Sequence, residues 1–235
     1  KDYINYKMDI LLTRPLEDSF EIISKFQNLG HKVLHMPLLK INKKEEHEEI
    51  DYSNVKGIIF TSANSIKFLN HNLIPKTIFC FCVGSATEKV AKSVGFQKIY
   101  CAEGNVENLK EIILQNFNKT DGRLIYFSGE FVSKNLDKEL ISQGYLVKRI
   151  INYKSIAVDF IQNDVLKILK NKAPDVVFVY SEKSAVNFVN LINKYDLIDL
   201  FINSNLMCIS EKVSSVLNQI KWKKIYIFNP GEEEF

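Results

Sequence analysis

Six short segments of this chain carry small hydroxyl and amide residues where a strand would turn into a helix. They are Thr13-Arg14, Thr61-Ser62-Ala63-Asn64, Gly84-Ser85-Ala86-Thr87, Ser128-Gly129-Glu130, Ser181-Glu182-Lys183-Ser184 and Ser210-Glu211-Lys212. Residues of this kind cap helix N-termini and leave neighbouring amide donors open. Each such terminus attracts an anion by about 0.3–1 kcal/mol at an exposed site. One elbow alone reads as a helix cap. Six on shared sheet edges predict a cleft of hydroxyls, amides and a few cations, suited to a ligand with several carboxylates.

A second chemical group is Tyr153, in the extended stretch Ile151–Val158. A phenol with a pKa of about 10 stays protonated at neutral pH and can donate a proton or a hydrogen bond. Its bland reading is an ordinary strand tyrosine on a ladder between domains.

Other chemistries lack their residues. There is no G-x-x-x-x-G-K-[ST], no G-x-G-x-x-G after a strand and no G-x-S-x-G. Nucleotide-dependent chemistry and a hydrolase elbow are therefore not expected. The histidines, His31, His35, His47 and His71, all fall outside the elbows and read as structural. His31 and His35 on one strand would stand about 13 Å apart, too far to share a metal ion. Cys80 and Cys82 share a strand face with no second pair to complete a zinc site. The four cysteines read as buried free thiols, and no metal site is expected.

The elements that must hold these groups follow a repeat. Ile10–Leu39 is a short apolar strand, an elbow, an amphipathic helix, a glycine and a second strand, and Arg123–Tyr153 has the same order. Gly57–Leu69 is echoed by Asp175–Val189, and Phe81–Val94 by Met207–Leu217. Three units occurring twice predict two similar α/β lobes with parallel sheets. Gly30, Gly95 and Gly144 each close a helix before a strand. Pro15 suits a first helical position. Lys40–Ser53 is charged and reads as a solvated connector. Asp159–Asn171 and Leu191–Asn205 read as helical or loop-like, and Glu232–Glu234 as a solvated acidic tail.

The chain of 235 residues is comfortable for two domains of roughly 100–120 residues each. It is 46% hydrophobic and 25% charged, as ordinary globular proteins are. A net charge of +3 does not favour a nucleic-acid partner. No apolar run approaches the roughly 18 residues of a membrane span, and no secretion signal is legible at the start. We expect a cytoplasmic protein with no membrane partner.

At these residues the chain resembles the uroporphyrinogen-III synthase family. The matching pieces are Leu11–Pro15, Phe60–Leu69, Val83–Phe96, the G-x-x-x-x-L of Gly104–Leu109, and the tyrosine of INYKS, Tyr153. Each is short, but they occur in order over nearly the whole chain. The resemblance implies a fold the repeat alone would cut differently, near residue 120. Residues 1–39 with 157–235 would form one discontinuous lobe and 43–150 the other. Segments 40–42 and 151–156 would link them as a two-stranded β connector.

The resemblance also implies a reaction. The family converts hydroxymethylbilane, a linear tetrapyrrole with eight carboxylates, to uroporphyrinogen III. Water leaves, an azafulvene is attacked to give a spiro intermediate, and reclosure inverts the terminal ring. No cofactor is required. Tyr153 would donate to the departing hydroxyl. Thr13, Arg14, Ser62, Asn64, Ser85, Thr87 and Ser128 carry over as carboxylate-binding residues, with Lys134, Ser181 and Ser210 beside them. Ser210 stands where the family has a glycine, and Lys212 or Val213 where it has a threonine. The resemblance further implies a monomer. Two other readings compete: a non-catalytic two-lobed module for a small polyanion, and a doubly wound nucleotide- or sugar-handling transferase.

Overall fold

The structure, a computed structural model, describes residues 6–15, 19–45, 49–103, 105–132, 134–229 and 232–233. The chain divides into two compact units, Lys1–Lys40 with Ile156–Phe235, and Ile41–Ser155. It begins with β1 (Asp9–Leu12), α1 (Phe20–Asn28), β2 (Lys32–His35) and β3 (Leu39–Lys43). It continues through β4 (Val55–Phe60), α2 (Ala63–Lys67), β5 (Phe79–Val83), α3 (Ser85–Ser93), β6 (Lys98–Ala102) and α4 (Val106–Asn116). Then come β7 (Arg123–Gly129), α5 (Leu136–Ser142), β8 (Leu146–Ala157) and α6 (Asn163–Asn171). The last elements are β9 (Val176–Val179), α7 (Glu182–Lys194), β10 (Asn205–Cys208), α8 (Glu211–Leu217) and β11 (Lys224–Ile227).

The near-continuous apolar runs of β1, β4, β7 and β9 lie buried in parallel sheets, as strands covered on both faces must. One sheet has the order β11-β10-β9-β1-β2 and the other β3-β8-β7-β4-β5-β6. Alternate residues of each strand feed separate cores. Leu11, Val177 and Val179 join the core containing Phe188 and Phe201. Ile10, Leu12, Val176 and Phe178 join the one containing Phe26 and Phe228. In the other sheet Ile58, Phe60 and Phe127 face one core, and Ile59, Phe81 and Tyr126 the opposite one.

The two sheets answer the repeat strand for strand. The sequence echoes β1 with β7, β2 with β8, β9 with β4 and β10 with β5. Reading β11-β10-β9-β1-β2 beside β6-β5-β4-β7-β8 puts each echoed strand at the same rank. Equivalent sequence patterns thus occupy equivalent places within each unit. Mixed α/β architecture with parallel-dominated sheets is what the pattern predicted.

Helix ends follow the local chemistry. Gly30, at φ +86°, closes α1: its amide reaches Gln27 O and the next amide, His31 N, reaches Phe26 O at 3.0 Å. Gly95 and Gly144 repeat this motif after α3 and α5. Asp196, at φ +55°, does so after α7 without being a glycine. Residues 16–18, which would follow Pro15 in a helical turn, lie outside the described residues, and the reading of Pro15 as a first helical position lies there with them. α1 begins at Phe20 behind Ser19, whose hydroxyl donates back to Pro15 O at 2.7 Å.

The connectors also differ from a plain loop. Residues 39–43 of the charged stretch form β3, which pairs with β8. Val158 N donates to Leu38 O at 3.0 Å and Lys44 N to Asn152 O at 2.9 Å, so the two strands run antiparallel. Asn187 of α7 is buried, and its Nδ2 donates to Leu38 O at 2.7 Å and Val158 O at 2.8 Å. One amide thereby serves two strand-end carbonyls that lie away from water.

Replacing Asn187 with Leu should destabilise the protein by about 1–3 kcal/mol, because Val158 O loses this donor and Leu38 O is left with Val158 N alone. Urea denaturation followed by far-UV circular dichroism measures this. An unchanged midpoint would mean that those carbonyls find other partners.

Candidate functional site

The elbows stand where parallel strands end and helices begin. In the second unit Phe60 pairs with both Cys82 and Phe127, so Thr61, Val83 and Ser128 stand at one level of the sheet edge. Ser62 caps α2, its Oγ accepting from Asn64 N at 3.2 Å. Asn64 is buried, and its Oδ1 has no partner among the described residues. Ser85 opens α3 behind Gly84, at φ +83°, which offers no side chain to the first-turn amides. Thr87 lies buried in that turn. Ser128 is fully buried, and its hydroxyl donates to Gly129 O at 2.9 Å.

Tyr153 belongs to this edge. β8 pairs with β7 through Ser128–Ile151, and the next pair is Gly129–Tyr153, a bulge that leaves Asn152 unmatched. The bare face of Gly129 receives the Tyr153 ring: a Cβ there would sit 2.7 Å from Cε2 and Cζ and 3.0 Å from the hydroxyl. The Phe68 ring lies 6.4 Å from it. Unmatched Asn152 turns inward and donates to Ser65 O at 2.7 Å. Nearby, Thr61 Oγ1 and Tyr126 OH share a hydrogen bond of 3.0 Å, and burial pushes the Tyr126 phenol up.

Lys134 is half exposed and its Nζ stands 2.5 Å from Glu107 Oε2. Glu107 also pairs with Lys110, which reaches Glu139 at 2.7 Å. Hydrogen bonds from Lys110 first, then Lys134, pull the Glu107 carboxyl down to about 2. The cysteines are free. Burial pushes the Cys80 thiol up to about 12, so it stays protonated and unreactive at neutral pH.

The first unit gathers Thr13, Arg14, Tyr180, Ser181 and Ser210 at the ends of β1, β9 and β10. Thr13 is buried, and its hydroxyl donates to Phe178 O at 2.5 Å. Ser181 caps α7, accepting from Ser184 N at 3.0 Å while donating to Ser184 Oγ at 2.9 Å. Ser210 caps α8, accepting from Val213 N at 3.3 Å. The Arg14 guanidinium lies 4.6 Å above the Tyr180 ring. His35 and Arg14 O are in hydrogen-bond contact at 2.8 Å, and His31 Nδ1 accepts from Met8 N at 3.2 Å.

The acidic tail needs correcting. Glu233 is 5% exposed, not solvated, and Tyr180 OH donates to its Oε1 at 3.2 Å. A carboxylate removed from water requires such a donor. Burial, and then the Glu233 charge, push the Tyr180 phenol well up. Glu234, His47 and Gly104 lie outside the described residues.

Within the second unit the structure brings Ser62, Asn64, Ser85, Thr87, Ser128 and Tyr153 to the C-terminal edge of one sheet. Within the first unit it does the same for Thr13, Arg14, Ser181 and Ser210. Lys134 stands apart in an ion pair. Sequence reading missed Tyr126, Arg149, Asn152, Tyr180 and Glu233. For Arg149 a signal existed: only three of the 31 basic residues are arginines, Arg14, Arg123 and Arg149. In a lysine-rich chain an arginine marks a place where a planar fork of donors is used.

Comparison with known proteins agrees on one family. The model of the uroporphyrinogen-III synthase HemD family matches residues 21–229. The chain is 19% identical over 241 residues to uroporphyrinogen-III synthase of Escherichia coli (strain K12), covering 97% of each chain. Its fold is similar to that of uroporphyrinogen-III synthetase from Helicobacter pylori 26695, with a TM-score of 0.61 at 15% identity over 96% of this chain and 95% of that one. At that identity the structural likeness speaks for the fold, and the family match carries the assignment. With most of its length inside that match, this chain belongs to the uroporphyrinogen-III synthase family, enzymes of the cyclising lyase type.

Proposed function

We propose that this chain cyclises hydroxymethylbilane to uroporphyrinogen III with loss of water and inversion of the terminal ring. The observation that carries the reading is the family match across residues 21–229. Membership of an enzyme family speaks against the non-catalytic binding module and against the nucleotide- or sugar-handling transferase.

In this reading Tyr153 acts as the acid. A phenol is neutral at pH 7 and can donate to the departing hydroxyl. Its ring rests on Gly129 at a strand end, so the phenol has little freedom to wander. The substrate's carboxylates meet the elbows. The first turn of α3 at Ser85–Thr87 is the strongest of these contacts, since its amides are not taken by a side-chain cap, and Arg14 brings a positive charge held over the Tyr180 ring. Ser62, Asn64, Ser128, Ser181 and Ser210 contribute through the turns they shape, and Thr13 through the β1 end it pins. Lys134 would have to leave Glu107 to take part. Ser210 stands in for the family's glycine at the last elbow.

Positioning is the larger demand, because the spiro closure must outrun simple ring closure. Holding reacting groups in place can supply about 7–11 kcal/mol of a barrier. The lobe assignment, 1–39 with 157–235 and 43–150, belongs to the same proposal. The compact units change over at Lys40/Ile41 and Ser155/Ile156, which supports it. So do a monomeric state and a reducing cytoplasm, the latter supported by the free cysteines. Among the described residues no helix is long and apolar enough to cross a membrane.

Purified protein incubated with hydroxymethylbilane should yield mainly the type III isomer, separated from type I by chromatography. An isomer ratio equal to spontaneous cyclisation would overturn the reading. Replacing Tyr153 with Phe should lower turnover more than about tenfold, a loss typical of removing a general acid, with the melting temperature nearly unchanged. Near-parental turnover would remove Tyr153 from the mechanism.

A further inference from the structure

We propose that Arg149 is a positioning residue for Tyr153, because its guanidinium ties down the end of β7, opposite the β8 bulge, on which the tyrosine ring rests. The inference deepens the role given to Tyr153 above and rests on that reading for its catalytic consequence.

A bulge removes a matched pair from the ladder and loosens the strand locally. Here it falls between Ser128 and Gly129, beside Tyr153. Arg149 restores what the ladder loses. Its Nε donates to Ser128 Oγ at 2.8 Å, and its Nη2 donates to Gly129 O at 3.0 Å and Glu130 O at 3.2 Å. Ser128 and Gly129 of β7, and Glu130 just beyond it, are thereby held by one side chain of β8. The Glu130 amide closes the loop on Tyr153 O at 3.1 Å.

Gly129 transmits this to the phenol. With a notional Cβ only 2.7 Å from the Tyr153 ring, the glycine backbone is the surface the ring lies on. A shift of a few tenths of an ångström in Gly129 must move the ring. Lysine cannot replace Arg149 here. Its ammonium is a compact group on a flexible stem, whereas the guanidinium presents donors in a fixed fork.

The test uses the full chain with five variants: Arg149→Lys, Gly129→Ala, Tyr153→Phe, and Tyr153→Phe combined with either of the first two. One readout needs no activity. In protein labelled with 13C-tyrosine, the ring cross-peak that disappears in Tyr153→Phe is Tyr153. We expect that peak to shift or broaden in Arg149→Lys and Gly129→Ala, while melting temperature and the tyrosine peaks other than that of Tyr126, which pairs with Arg149 across the ladder, stay close to parental. The second readout is steady-state kinetics on hydroxymethylbilane. We expect Arg149→Lys to lower kcat at least fivefold with KM within about twofold, and to cost less than twofold more once Tyr153 is Phe. An unmoved Tyr153 peak would overturn the proposal. So would equal kcat losses in both backgrounds, or a raised KM with kcat intact, which would make Arg149 a carboxylate binder. Full turnover in Tyr153→Phe with a displaced ring in Arg149→Lys would instead sink the acid role and leave the positioning role standing.

Discussion

The structure depends above all on the register of its parallel ladders. Phe60 faces Cys82 on one side and Phe127 on the other, so three strands end within two residues of a shared level. Everything chemical in the second unit follows from that shared level. Had β7 slipped by one residue, the buried set Leu124, Tyr126 and Ser128 would exchange faces with Ile125, Phe127 and Gly129. Tyr126 would then lose Thr61, and the Tyr153 ring would meet a side chain instead of bare glycine. The apolar cores on both faces forbid the slip, since each strand feeds two cores with alternate residues.

Most elbow hydroxyls already have partners inside their own unit. Ser62, Ser181 and Ser210 accept from the first amides of the helices they precede. Thr13 and Ser128 donate to nearby carbonyls. These bonds satisfy groups that lie partly or wholly away from water, where an unmade hydrogen bond costs about 1–3 kcal/mol. The consequence for chemistry is rigidity. A helix whose first turn is closed by a serine presents its remaining amides in a fixed direction. α3 differs because Gly84 carries no side chain, so the dipole at that end is uncapped. Asn64 Oδ1 is buried without a partner among the described residues, as are Ser65 Oγ and Asn152 Oδ1 nearby.

Several parts of the fold were legible in the residues because their cause is local. The helix–glycine–strand junctions at Gly30, Gly95 and Gly144 are set by the positive φ that glycine adopts without strain. The repeat announced itself because each strand–elbow–helix unit needs the same alternation of apolar and polar residues. Other parts were not legible. Asp196 performs a glycine's task at the end of α7, so the residue type gave no warning. Residues 39–43 read as a charged loop from composition, and only the family resemblance pointed to a strand there; they pair with β8.

Composition, periodicity and ordered motifs determined the α/β class, the positions of the elbows and the resemblance to a family, since these reside in neighbouring residues. Tertiary structure alone decided which side chains meet. Arg149 reaches across to Ser128, Gly129 and Glu130, Asn152 turns inward at a bulge, and Glu233 is received by a phenol far away along the chain. Such pairings join residues roughly 20 to 90 positions apart and arise from packing two faces of a sheet at once. No local pattern encodes them, because the donor and the acceptor become neighbours only after the sheet has closed.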